Sequence, residues 1–468
     1  MRKHETMAVL KLALEPDTIT EQTLDRQSRI CNWAYNNLLD EAHAKRKLYI
    51  ETQQPEFAKI VYTERGLRNL LPALKVQKPF LKTVHSSVLK NTALRLSASI
   101  QAHQKSKKGK RKGKPVGWPK HRAWKAGWFS LYYDEPDKGF KVVEDQLVLS
   151  LGTGQDRKRR SISIPLKDSH LLKTKEIRNL RIVKQLGKFF AIFTISISLP
   201  TPKPIARVIA LDPNHKNLSY GVDTQGNAIE IEAAGWLKTY DKRIDELKGK
   251  RDRCQKKSHS IDVLDEEGKP TGKTYWQASK RWVKYHQALQ RALQKRREQT
   301  KTFLYSTAHQ LFRDYDCVGI GNYAPQGGGL TTKMRRAMNN RSLIDRFKQT
   351  LAWVAAKSGK VFLEFEEKGT TRTCHICHFV VENGLDPSIR KWNCPHCKTI
   401  HHRDENAAKN GLCIVLRNLA EKGGNKISLV SGSDLVAGMQ RWAWRVLPSG
   451  VRSNLRGQNS ELIAAPGN

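Results

Sequence analysis

The sequence predicts a multidomain protein of the α/β class with an added antiparallel β-barrel, and three observations lead there. A buried-type strand, Val208 to Leu211, ends on Asp212 and opens a succession of short strands and long helices. A separate block, residues 129–200, is β-rich: FSLYY, KVVEDQLVLSL, SISIPL and IRNLRIVKQLGKFFAIFTISISL are divided by turn residues. Two Cys-x-x-Cys pairs, Cys374/Cys377 and Cys394/Cys397, stand between a late strand and a late helix. The 468 residues leave room for about two to four domains.

Charge narrows the partner. Against 44 acidic residues stand 84 Lys and Arg, giving a net charge of +40. Such a surface attracts polyanions, and counterion release makes nucleic acid the natural one. A membrane is the rival, but no apolar run approaches the ~18–20 residues that span a bilayer. The N-terminus carries only a short apolar patch, broken by Lys11 and then by acids, so no signal peptide is expected and the location is read as cytoplasmic. Of eight cysteines, Cys31, Cys254, Cys317 and Cys413 are scattered and four form the two pairs. That fits a reducing compartment with one metal site, not a disulfide framework.

Taken in order, residues 8–14 alternate weakly and read as a strand. Asp17 to Thr20 offers a helix N-cap, and Ile19, Leu24, Ile30, Trp33, Leu38 and Leu39 follow at helical spacing. Helical patterning continues to about residue 105, most clearly over 84–103, where Leu89, Ala93, Leu96 and Ile100 share a face. The expected arrangement is a barrel from 1–20 and 127–200, with a helical recognition lobe, 21–126, inserted in it. The lobe ends in a basic loop with interleaved tryptophans. There Lys107, Lys108, Lys110, Arg111, Lys112, Lys114, Lys120 and Arg122 can neutralise phosphates. Trp118 and Trp124 can stack on unpaired bases, unless they dock into their own domain.

Pro200, Pro202 and Pro204 read as a linker. Beyond it SYGVD and NAIEIE follow the Asp212 strand, three consecutive strands that resemble the opening of ribonuclease-H-like nucleases. Residues 236–313 are helical and very basic, with 254–274 as the turn of a helical hairpin. CVGIG (317–321) is a short buried strand, 334–359 a helix, and VFLEFE (361–366) a further strand. After Asp404 a helix runs to about 421, and the Gly-, Ser- and Asn-rich tail 423–468 is expected to be irregular, with Trp442 and Trp444 isolated.

Sixteen residues separate Cys377 from Cys394, and two Cys-x2-Cys turns at that distance can close a tetrahedron of thiolates around zinc. Four protein ligands leave no open position, so this zinc is structural. Catalysis of phosphodiester hydrolysis by two divalent ions needs clustered carboxylates instead, and magnesium suits such all-oxygen sites. Asp212 at a strand end and Asp404 at a helix start are the candidates, although an Asp at a helix start is often only a cap.

The order of these elements, with ALDPNHKN (210–217), GTTRTCHIC (369–377), HRDENAAKN (402–410) and the basic GWPK (117–120), resembles the TnpB proteins of bacterial transposons, the compact type V CRISPR effectors and the Fanzor proteins. The resemblance covers roughly residues 1–420. It implies a split RuvC (RNase H-like) nuclease domain, 205–368 and 400–422, with a four-cysteine zinc ribbon, 369–399, inserted. It further implies an RNA-guided DNA endonuclease that binds a guide RNA and double-stranded target DNA bearing a short flanking motif. Asp212 matches the first RuvC acid and Asp404 the third. The second, a Glu closing the middle strand, is missing: Ile320-Gly321-Asn322-Tyr323 holds no acid. Either the nuclease is dead, leaving a guided DNA-binding repressor, or the carboxylate is relocated. Some family members carry a Glu, two residues, then a Thr pair ahead of the first knuckle Cys; counting back from Thr370 gives Glu367, in preference to Glu366. A strand transferase finds no support in any Tyr or Ser nucleophile motif.

Overall fold

The computed structural model describes residues 6–111, 113–122, 128–154, 158–202, 204–214, 217–264, 268–322, 343–382, 384–386, 389–421, 441–446 and 452–456. The chain forms two compact units, 1–198 and 199–468.

The first unit holds two antiparallel sheets and a set of helices. One sheet has the order β1-β7-β6-β2, from Thr6–Leu14, Lys188–Ile197, Ile177–Gln185 and Ser130–Tyr133. The other joins β3 (Phe140–Val143), β4 (Gln146–Thr153) and β5 (Arg159–Pro165). They touch where Leu14 bridges Leu166 and the Lys167 N–H donates to the Ala13 carbonyl at 3.0 Å. Strand β7 shows the period-2 rule plainly: Phe189, Ala191, Phe193 and Ile195 point inward. Helix α1 (Thr18–Thr52) starts where the Asp17 carboxylate accepts the Thr20 N–H at 2.7 Å. It ends at Gln53, which turns left-handed at φ 56°. Two short helices, α2 (Pro55–Tyr62) and α3 (Leu71–Gln77), lead to α4 (Ser86–Lys107). Leu24 and Leu38 of α1, Leu89 and Leu96 of α4, and Phe189 and Phe193 of β7 belong to one continuous core, so helices and sheets here stabilise each other.

The second unit is built on a seven-stranded mixed sheet, β14-β13-β8-β9-β10-β17-β18. Strands β8 (Val208–Pro213), β13 (Cys317–Gly321) and β14 (Val361–Phe365) are parallel. Antiparallel β9 (Ser219–Asp223) and β10 (Ala228–Ile231) extend the sheet from β8. Strand β8 is buried along its whole length, which explains its continuous apolar run. On one face Ile209, Leu211, Val318 and Ile320 pack against α6 (Lys280–Asp314) and α7 (Ile344–Ser358). On the other, Val208, Ala210, Cys317 and Phe365 pack against Ala408, Leu412 and Val415 of α8 (Arg403–Glu421). Helix and sheet approach closely there: a methyl at Gly319 would lie 2.3 Å from a Val415 methyl.

Two expectations are corrected. The stretch read as a plain turn after α5 (Trp236–Gln255) forms a hairpin, β11 (His259–Leu264) with β12 (Pro270–Gln277). The tail read as irregular supplies β17 (Arg441–Val446) and β18 (Arg452–Arg456), and β17 pairs in parallel with β10. Its RWAWRV run alternates and is aromatic, which suits a strand. Its partner lies some two hundred residues earlier, beyond any local signal. Among the described residues no helix is long and apolar enough to cross a membrane.

Candidate active site

The parallel strands fix which side chains meet. Alternate residues of β8 face α8, and Asp212 follows Val208 and Ala210 on that face. Asp212 is only 8% exposed, and its backbone oxygen accepts the Ser219 hydroxyl at 3.0 Å. Burial raises its carboxyl well above the ordinary carboxylate range, and the charges of Glu367 and then Asp404 raise it further. Glu367, from the segment after β14, and Asp404, from the start of α8, thus lie near enough to Asp212 at the end of β8 to act on its charge. Glu366, one residue earlier, is exposed. The Arg390 guanidinium lies 3.2 Å from both Asp404 oxygens. Among the described residues only the four cysteines bring three or more ligand atoms within 4.8 Å of one another, so divalent cations here would have to draw the carboxylates together, and their charge would lower the cost of ionising Asp212.

Beside the acids, the four Sγ atoms of Cys374, Cys377, Cys394 and Cys397 lie within 4.8 Å of one another. Two of the separations, Cys374–Cys397 and Cys377–Cys394, are 3.6 Å. Thiolates ~2.3 Å from a tetrahedral zinc would stand ~3.8 Å apart, so the cluster could bind that ion. His401, buried against Trp392, places Nε2 3.1 Å from Cys374 Sγ, where an N–H can steady a thiolate. The antiparallel pair β15 (Lys391–Asn393) and β16 (Ile400–His402) carries the second Cys turn and leads directly into α8.

What locks this knuckle to the helix is a pair of asparagines that sequence reading passed over. Asn410 Nδ2 donates to the carbonyls of Thr370 at 2.8 Å and Thr373 at 2.7 Å. Asn406 Nδ2 donates to the Thr373 carbonyl at 2.7 Å, and its Oδ1 accepts the His375 backbone N–H at 3.0 Å. Asn406 and Asn410 are four apart on one helix face, a spacing that was available as a signal. Both are buried, so truncation strands carbonyls away from water. Asn410→Ala should lower the unfolding free energy of this unit by about 2 kcal/mol, measured by urea titration.

The basic loop divides. Lys107, Lys108, Lys110, Arg111, Lys114 and Lys120 are exposed and open to a polyanion. Arg122 is turned inward: its guanidinium sits 3.6 Å over the Tyr35 ring and donates to Asn32 Oδ1 at 3.2 Å, and burial pulls it down to about 10. Trp118 is half-buried between His43 and His103, with the Arg46 guanidinium 4.7 Å over its ring. These two side chains serve their own unit. Lys112 and Trp124 lie outside the described residues.

Residues 345–411, which span Glu367, Asp404 and the knuckle, match the family model described as Cas12f1-like, TNB domain. The TnpB-like proteins L79 and L770 of Acanthamoeba polyphaga mimivirus are 28% identical over 144 residues, 30% of this chain and 27% of theirs. The match therefore spans little more than a quarter of those relatives' length. Among solved structures, the protein in the cryo-EM structure of the Cas12f1-sgRNA-target DNA complex superposes with a TM-score of 0.53 at 10% identity, over 87% of this chain and 99% of that one. At that identity the likeness is one of fold. The knuckle followed by its Asn-bearing helix, the model that matches it and the viral relatives agree in making this part of the chain similar to Cas12f1-like and TnpB-like proteins.

Proposed function

We propose that this protein is an RNA-guided DNA endonuclease of transposon origin, hydrolysing target DNA at a RuvC-type site on an RNase H-like sheet. One observation supports the reading: the Glu367 carboxylate sits against Gly321 at the end of β13, level with buried Asp212 at the end of β8, and both it and Asp404 act on Asp212. Asp212, Glu367 and Asp404 would hold magnesium, which when bound supplies an activated water and neutralises the phosphate. The protein's own part is to fix the three carboxylates on one rigid edge, so that little reorganisation is needed at the moment of reaction. The four cysteines would hold a structural zinc, which would set the path of the chain between Glu367 and Asp404. The exposed lysines of the first unit would grip guide RNA and heteroduplex backbones, leaving sequence to base pairing. The barrel-like sheets and helices of that unit would read a short flanking motif.

A guided DNA binder without cleavage is the second reading, and it rests on the absence of an acid after Ile320. Purifying the protein with its bound RNA, sequencing that RNA and offering matched DNA separates the two. Magnesium-dependent cuts in matched DNA alone are the expected result. A discrete RNA with tight binding but no cut supports the binder, and a preparation carrying no discrete RNA contradicts both.

A further inference from the structure

We infer that Gly321 is a positioning residue for the acid cluster: the space left by its missing side chain is the seat of the Glu367 carboxylate. The inference rests on the proposed role of Glu367 and says what allows that role. A Cβ built on Gly321 would lie 1.8 Å from Glu367 Oε1, 2.3 Å from its Cγ and 2.4 Å from its Cδ. Carbon cannot approach so closely, so any other residue at 321 evicts the carboxylate. Gly321 has no left-handed φ, and strand geometry would accept an L-residue there. Volume alone demands the glycine.

Register explains why this space belongs to the site. Ile320 pairs with Leu211 and Gly321 with Phe365. One step further along, Gly321 stands level with Asp212, and in-register neighbours on parallel strands project to the same face. The vacancy therefore opens beside Asp212 on the side of α8. Glu367 is steered into it by the next residue of β13's exit: Asn322 Oδ1 accepts the Glu367 backbone N–H at 3.3 Å, and the Asn322 N–H donates to the Phe365 carbonyl at 2.8 Å. Gly321 makes the room and Asn322 aims the chain at it.

The colliding atoms are the end of a flexible side chain, so Gly321→Ala should fold and misplace only Glu367. Target cleavage should fall about a hundredfold, the cost of roughly an ångström of misplacement. The manganese or magnesium concentration giving half-maximal cleavage should rise, while zinc content and RNA binding stay unchanged. Gly321→Ala cleaving at the parental rate while Glu367→Ala is dead overturns the inference and leaves the role of Glu367 standing. Glu367→Ala cleaving at the parental rate removes both. Melting gives a second reading: any loss that Gly321→Ala causes should vanish in the Glu367→Ala background, where nothing is left to collide. A melting penalty of equal size in both backgrounds contradicts the steric pairing.

Discussion

Asp212→Ala should abolish target cleavage, by at least about a thousandfold, and leave guide and target binding within a few-fold. The carboxylate is buried at the end of a fully buried strand, and no neighbouring residue of β8 can replace it. Charge stabilisation at a two-metal centre is worth several kilocalories per mole, and about 4 kcal/mol already corresponds to a thousandfold in rate. Binding should persist because, on the proposed function, affinity for nucleic acid would come from the exposed basic surface. Asp404→Ala should behave alike. The fold should not suffer in magnesium-free buffer. Burial and the charges of Glu367 and Asp404 hold Asp212 protonated above its unfolded value, so the native state binds more protons there. Stability attributable to this group is fully present below the unfolded carboxylate range and falls as pH rises from there through the raised native value. Asp212→Asn removes that penalty, so its melting temperature at neutral pH without magnesium should equal or exceed the parent's. A single-turnover cleavage assay beside a melting curve checks both statements.

The second large effect concerns the knuckle. Cys394→Ser should reduce bound zinc from one ion per chain to a small fraction and eliminate cleavage, and added magnesium should not restore it. Thirty-six residues separate Glu367 from Asp404, and the four cysteines fall within them. Structural zinc contributes roughly 10–16 kcal/mol in small zinc-binding peptides, so its loss releases the segment. The Thr370 and Thr373 carbonyls then no longer present themselves to Asn406 and Asn410, and α8 loses its register against β14. Metal analysis with a cleavage assay decides the matter. Parental cleavage by a zinc-free preparation would mean that the knuckle does not hold the acids in place.

Much of this site was written in local chemistry. Two Cys-x2-Cys turns define their own tetrahedron, and the strand leading to Asp212 is apolar because both its faces are covered. Glu367 is reached as a candidate acid only by counting back from Thr370. What remained hidden was expressed by absence or by distance. Gly321 matters through the side chain it lacks, which leaves no mark in a hydrophobic pattern. The pairing of β10 with β17 joins segments far apart in sequence, so composition alone suggested an irregular tail. Arg122 and Trp118 carry the same signature as their exposed neighbours in the basic loop, and only the packed structure separates an arginine over Tyr35 from a lysine facing solvent.

The central claim is that the second carboxylate of the site comes from Glu367. Its most direct test is the rate at which guide-loaded Glu367→Gln and Glu366→Gln cut matched DNA in magnesium. Glu367→Gln keeps the size of the side chain and removes its charge, while Glu366 is exposed beside it. The expected result is no detectable cleavage by Glu367→Gln, with target binding retained, and a near-parental rate for Glu366→Gln. Parental cleavage by Glu367→Gln would contradict it.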